Sequence, residues 1–384
     1  MGCRPPRLPG PRSPRPAGTG WPTHSFSVGG PLDRTWCYPW TAESAALGSA
    51  VGGGLTHGQS AAWSYGRQNL NLARSERSTP IYENISAKLA RGEIIILDGG
   101  TGTDIQRRGA TMSGDTWCAE ANLTHPDIVC EVHRDYVKAG ADMVIANTFA
   151  TSALLFNALG RDDDLLAIDR AAVLLAQQAV AGQQVAVAGS ISTMRPVVVG
   201  SDRTDKQQEW PEAEARALFA RKANNLAAAG VDLIIMEMMR DVRYSLWATE
   251  AALATGLPVW VGIATERRAD GELVGFSHPD ELLDDVVRVL VATGPAHVSI
   301  MHSSPNDTGD AIEIVKRHWS GPMGAYPESG YFTMPEWKFV DIMSADDLVE
   351  YARVWRTQGV TAFGGCCGLG PHHVAALARQ FGPD

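Results

Sequence analysis

The 384-residue chain contains no apolar run approaching the ~20 residues that span a bilayer, which excludes a helical membrane protein. Cysteine is scarce: Cys3, Cys37, Cys118, Cys130, Cys366 and Cys367 are irregularly spaced. That pattern excludes a secreted disulfide framework and points to a reducing compartment, the cytoplasm, where thiols stay free for metals or chemistry. Basic charge is scarce too. Eight of the 33 Lys and Arg lie in residues 1–77, leaving 25 against 40 of the 43 acidic residues in the remainder. An acidic body of this kind has no footprint for nucleic acid.

Residues 1–77 also lack sustained hydrophobic periodicity. They are rich in Pro, Gly, Ser and Arg, as in Arg4-Pro5-Pro6 and Gly52-Gly53-Gly54. Such a segment cannot bury enough apolar surface to offset its ordering entropy, so a disordered, dispensable N-terminal extension is expected. It has no secretory apolar core. Its Arg- and Ser-rich, acid-poor character faintly resembles an organelle transit peptide, with an ordinary flexible tail the plainer reading.

Residues 78–384 are expected to form the folded domain, and from residue 93 the pattern becomes regular. Eight apolar runs recur, at 94–97, 143–146, 185–188, 233–236, 259–263, 298–301, 322–326 and 361–363. The first four lack polar alternation, as in strands buried on both faces of a parallel sheet. Amphipathic helices are expected between them, at Pro126–Ala139, from Pro211 onward, and at Pro279–Val291. Gly140, Gly230, Gly256 and Gly359 stand where helix C-terminal caps are needed. Eight β-then-α units over this length predict an α/β fold, a (β/α)8 TIM barrel, with an open doubly wound sheet as the alternative.

A TIM barrel builds its active site at the C-terminal ends of its strands. Those ends are Asp98-Gly99-Gly100-Thr101-Gly102-Thr103, Asn147-Thr148-Phe149, Gly189-Ser190, Glu237, Thr265-Glu266, His302-Ser303-Ser304, Tyr326 and Gly364-Gly365-Cys366-Cys367-Gly368. Adjacent cysteines can face one metal only if the backbone bends sharply, and flanking glycines permit that bend. Soft thiolates select zinc; a buried thiol pair is the alternative. His302, 64 residues upstream, is the candidate third ligand. One His and two Cys leave a tetrahedral position open, where a thiol substrate could lose its proton. Asp98 could hold a substrate ammonium group, or cap a turn. Glu237 could do the same, or pair with Arg240 or Arg243. Asn147 and Thr148 could hydrogen-bond a substrate carboxylate, or satisfy local backbone. The Gly-rich run after Asp98 has neither a Gly-Lys-Ser/Thr ending nor GxGxxG, which argues against a nucleotide site.

Taken in order, Asp98-Gly-Gly-Thr-Gly-Thr, Asn147-Thr148-Phe149, Glu237, the segment from Asp270-Gly271-Glu272-Leu273 to Gly275, and Gly364-Gly-Cys-Cys-Gly368 resemble the homocysteine S-methyltransferase family. The resemblance runs from about residue 90 to 380. It implies a TIM barrel, zinc held in part by Cys366 and Cys367, and homocysteine thiolate as methyl acceptor. It further implies that Asp98 and Glu237, beside Gly99, hold the homocysteine amino group. The chain departs from the family pattern at three places. Met301-His302 replaces Asn-Cys, so the first of three thiolate ligands is missing. Glu328 stands where Asn is usual, and Ser190-Ile-Ser-Thr-Met lacks the usual Gly-Pro. The expected partners are a small thiol or selenol acceptor and a free methyl donor, since no folate or cobalamin module follows Cys367. The alternatives are another metal-dependent barrel enzyme and a non-catalytic barrel that binds a small molecule. Oligomeric state is left open.

Overall fold

Every one of the eight apolar runs forms a strand of one parallel barrel in the computed structural model, which describes residues 81–198, 203–205, 207–333 and 338–382. The extension expected at 1–77 lies outside the described residues. The barrel strands are β1 (Ile95–Ile96), β2 (Met143–Ala146), β3 (Ala186–Ser192), β4 (Leu233–Met239), β5 (Val259–Arg267), β8 (His297–Met301), β9 (Met323–Tyr326) and β12 (Val360–Phe363). Hydrogen bonding runs β1-β12-β9-β8-β5-β4-β3-β2. The doubly wound alternative is thereby replaced by a near-closed ring.

Closure between β1 and β2 combines backbone bonds, Asp98 N–H to Met143 O at 3.1 Å and Asp142 N–H to Ile96 O at 2.7 Å, with side-chain ones. Leu97 and Met143 form one parallel bridge. Beyond it, Ile145 N–H donates to the Asp98 carboxylate at 2.7 Å, and Ile96 N–H donates to that of Asp142 at 2.9 Å. The barrel interior is filled by Leu97, Met143, Ala188, Ile235, Trp260 and Tyr326 among others. Helix Ile81–Ala90 contributes Ile81 and Ile85 to that same core, and Trp260 Nε1–H donates to the Tyr82 hydroxyl at 3.1 Å. These contacts plug the end where the strands begin.

The expected helices are present at Pro126–Lys138 and Glu212–Ala229. Gly140, Gly230, Gly256 and Gly359 all have positive φ, from 75° to 100°, as caps require. The expected helix at Pro279–Val291 needs correction. Residues His278–Leu282 form strand β7, and the helix occupies only Leu283–Val291. β7 pairs antiparallel with β6 (Leu273–Gly275), which pairs in turn with β5, so a tertiary partner overrides the local helical spacing. A second hairpin, β10 (Tyr331–Thr333) with β11 (Lys338–Val340), follows β9. Among the described residues no helix is long and apolar enough to cross a membrane.

Candidate metal and substrate site

The loops following β8, β9, β12 and β1 are stitched together by backbone hydrogen bonds. His302 N–H donates to Tyr326 O at 3.2 Å, Cys366 N–H to Pro327 O at 2.8 Å, Ser329 N–H to Cys367 O at 3.0 Å, and Gly365 N–H to Asp98 O at 3.0 Å. Glycine is needed for this approach. A Cβ on Gly100 would lie 2.7 Å from Cys366 O, and one on Gly364 would lie 2.8 Å from Asp98 O. Gly368, at φ +85°, adopts a left-handed conformation against Ser329 O.

These bonds bring His302, Cys366 and Cys367 together, with one ligand atom from each lying within 4.8 Å of the others. His302 Nδ1 is 3.4 Å from Cys366 Sγ. Bonds of ~2.3 Å to sulfur and ~2.0 Å to nitrogen place such atoms roughly 3.5 Å apart around a tetrahedral zinc. The electrostatics agree. The neighbouring Cys367 and burial push the Cys366 thiol well above its ordinary pKa, while His302 pulls it back. Two adjacent thiols ionise together only when a cation offsets their charge, so the donor set fits a thiophilic divalent metal. Cys118, Cys130, Cys366 and Cys367 are all free thiols. Cys118 differs from the pair: burial pushes it up to about 12, and its neutral S–H donates to Asn147 Oδ1 at 3.1 Å.

His302, Cys366 and Cys367 line a cavity of about 130 Å³ at the open end of the barrel, together with Gly99, Asn147 and Glu237. Its other walls are largely apolar, including Trp117, Phe149, Met194 and Met238. Among the described residues, five non-glycine positions have positive φ, and Trp117, Met238 and His302 are three of them. Backbone strain is thus concentrated at this cavity. At Met238 it coincides with a register shift between β4 and β5, from Met236 to Met239, which sets how Glu237 is presented.

Glu237 is buried and accepts a hydrogen bond from the Ser190 hydroxyl. Burial raises its pKa to about 7, against the lowering effects of Ser190 and His302. Arg243, one partner weighed for Glu237, pairs with Glu209 at 3.0 Å instead. Asp98 lies behind the cavity wall rather than in it. Its Oδ2 serves the β1–β2 seam, and its Oδ1 meets no hydrogen-bond donor in good geometry. Burial raises the Asp98 pKa well above the carboxylate range, and the nearby Glu237 raises it further. The charge of Glu237 at the cavity thus opposes ionisation of the Asp98 carboxyl behind it.

Asn147 reaches the cavity, but its amide also donates to Cys118 O at 3.0 Å and Asn122 Oδ1 at 3.1 Å. Thr148 is fully buried; its hydroxyl donates to Ser190 O at 3.0 Å and accepts from Ser190 N–H at 2.9 Å. Thr148 thus aligns the strand end that carries Ser190. Sequence reasoning missed Ser190 as the partner of Glu237, and it missed the Trp117-Cys118 loop. The available signal was an aromatic and a thiol side by side in the long connection after β1, on the face where barrel loops build sites.

The homocysteine S-methyltransferase family model matches residues 95–381. Betaine–homocysteine S-methyltransferase 1 of Rattus norvegicus is 27% identical over 322 residues, covering 78% of this chain and 75% of that protein. S-methylmethionine–homocysteine S-methyltransferase BHMT2 of Pongo abelii is 27% identical over 318 residues, covering 78% and 82%. The metallated form of the homocysteine methyltransferase MmuM from Escherichia coli superposes with a TM-score of 0.61 at 23% identity, covering 77% of this chain and 98% of that one, a likeness of fold. On its sequence from β1 to the last helix, the chain belongs to the homocysteine S-methyltransferase family, enzymes that transfer a methyl group to a thiol.

Proposed function

We propose that the chain transfers a methyl group from a small onium donor to the thiol of homocysteine, with zinc held by His302, Cys366 and Cys367. The observation that carries this reading is the gathering of those three ligand atoms on the wall of a cavity that Glu237 also lines. Bound there, zinc would favour the thiolate form of an acceptor at its open position.

The remaining steps belong to the chain's own side chains. Glu237, whose pKa burial raises to about 7, receives the acceptor's ammonium group as a carboxylate, and the buried Asp98 behind the wall holds the strand ends that frame this space. Asn147 and the backbone around Gly99 border the same space and orient the amino acid. The acceptor sulfur attacks the donor's methyl carbon. As the carbon–sulfur bond forms, the carbon–heteroatom bond breaks and its electron pair returns to the donor. Opposite charges on thiolate and onium cancel in this step. A water-poor environment favours it, and the walls of Trp117, Phe149, Met194 and Met238 provide one. Both thiols must stay reduced, so we place the protein in a reducing, cytoplasmic setting. The test is methyl transfer to homocysteine from betaine, S-methylmethionine and S-adenosylmethionine by the zinc-loaded protein. Turnover with at least one donor is expected. A zinc-loaded chain inert toward all three would overturn the reading.

A further inference from the structure

We propose that Glu328 is a positioning residue for the metal centre: it holds the His302 ring so that Nδ1, rather than Nε2, is the metal-binding atom. The inference rests on the zinc reading above. His302 presents its two ring nitrogens to different partners, with Nδ1 at 3.4 Å from Cys366 Sγ and Nε2 at 3.2 Å from the Glu328 carboxylate. A neutral imidazole carries one proton. With a carboxylate accepting from Nε2–H, the lone pair is left on Nδ1, facing the thiols. A ligand histidine commonly uses its second nitrogen in this way, and an acceptor there fixes the tautomer and makes the ring more basic.

The surroundings constrain the same orientation. The edge of Phe276 packs against the imidazole, with ring centres 5.1 Å apart and planes at 79°. His302 itself has φ +42°, an uncommon conformation for a residue with a Cβ. The Glu328 loop is held by bonds that also hold the ligands: Glu328 N–H to Ser303 O at 3.4 Å, with Cys366 and Cys367 bonded to its neighbours Pro327 and Ser329. Two thiolates alone neutralise a divalent ion, and neutral His302 adds no charge. Glu328 therefore supplies one negative charge a single hydrogen bond away from the ligand set. The departures from the family pattern at positions 302 and 328 are in direct contact with each other.

The test is a double-mutant comparison on the full chain, reading zinc affinity by competition with a chromophoric chelator. Glu328→Ala should weaken zinc binding 10–100-fold, as loss of an outer partner to a ligand histidine commonly does. Glu328→Gln, which keeps an acceptor and loses the charge, should weaken it less. In a His302→Cys background, Glu328→Ala should cost far less, because no ring remains to orient and only a nearby charge is lost. Cobalt(II) in place of zinc should show a shifted visible spectrum in Glu328→Ala and an unshifted one in the His302→Cys pair. Equal losses in both backgrounds, or no loss beside His302, would overturn the proposal. A wild-type chain that binds no zinc would instead overturn the metal reading, and this inference with it. If Glu328→Ala unfolds, seen by circular dichroism, Glu328→Gln carries the same comparison.

Discussion

The Ser190 hydroxyl donates to the Glu237 carboxylate from the neighbouring strand, so β3 tunes the ionisation of a residue on β4. This bond lowers a pKa that burial has raised to about 7. Ser190→Ala should raise it further and leave less of Glu237 ionised at neutral pH. The KM for homocysteine should rise several-fold at pH 7, and the acidic limb of its pH profile should move to higher pH. An unmoved limb would detach Glu237 from the amino-acid site.

Glu237 also makes stability depend on pH. Its folded pKa of about 7 lies above its ordinary 4.5, so between these values the folded state binds more protons than the unfolded state. Stability then falls as pH rises through that window. Glu237→Gln removes the penalty. In metal-free protein the variant should be more stable than wild type at pH 8, by up to about 3 kcal/mol, and indistinguishable near pH 4.5. Denaturant midpoints across that range check the sign; a gap widening toward acid would contradict it.

Asp98→Asn should weaken amino-acid binding and leave metal content unchanged, since its carboxylate faces the β1–β2 seam and the neighbourhood of Glu237 rather than the thiols. Titration with homocysteine alongside metal analysis separates the two effects. Stoichiometric metal loss would move Asp98 into the metal site.

Much of this arrangement was legible in the sequence. The eight strands announce themselves because a parallel barrel buries both faces, leaving runs such as Leu233-Ile234-Ile235-Met236 without polar interruption. Gly364-Gly-Cys-Cys-Gly368 was legible because a double thiol at a strand end needs flexible backbone on both sides. What stayed hidden depends on partners distant in the chain. Leu282, Leu283 and Val286 satisfy helical spacing, yet β6 draws His278–Leu282 into a strand. Thr148 reads like a substrate hydroxyl until Ser190 lies against it. The seam role of Asp98 exists only once β1 and β2 meet across a closed ring.

Thr148→Val keeps the shape of the side chain and strips Ser190 of both its bonds to that hydroxyl. A buried N–H left unsatisfied costs about 1–3 kcal/mol. Urea unfolding should show a loss of that order, with zinc content retained. A neutral substitution would mean the strand end is held by other contacts.

The central claim is that His302 completes a metal site with Cys366 and Cys367. Its most direct test is zinc stoichiometry and affinity, measured by elemental analysis and chelator competition on wild type and His302→Ala. About one zinc per chain is expected in wild type, with affinity falling strongly in His302→Ala. Equal stoichiometry and affinity in the two proteins would contradict the account and leave only Cys366 and Cys367 as ligands.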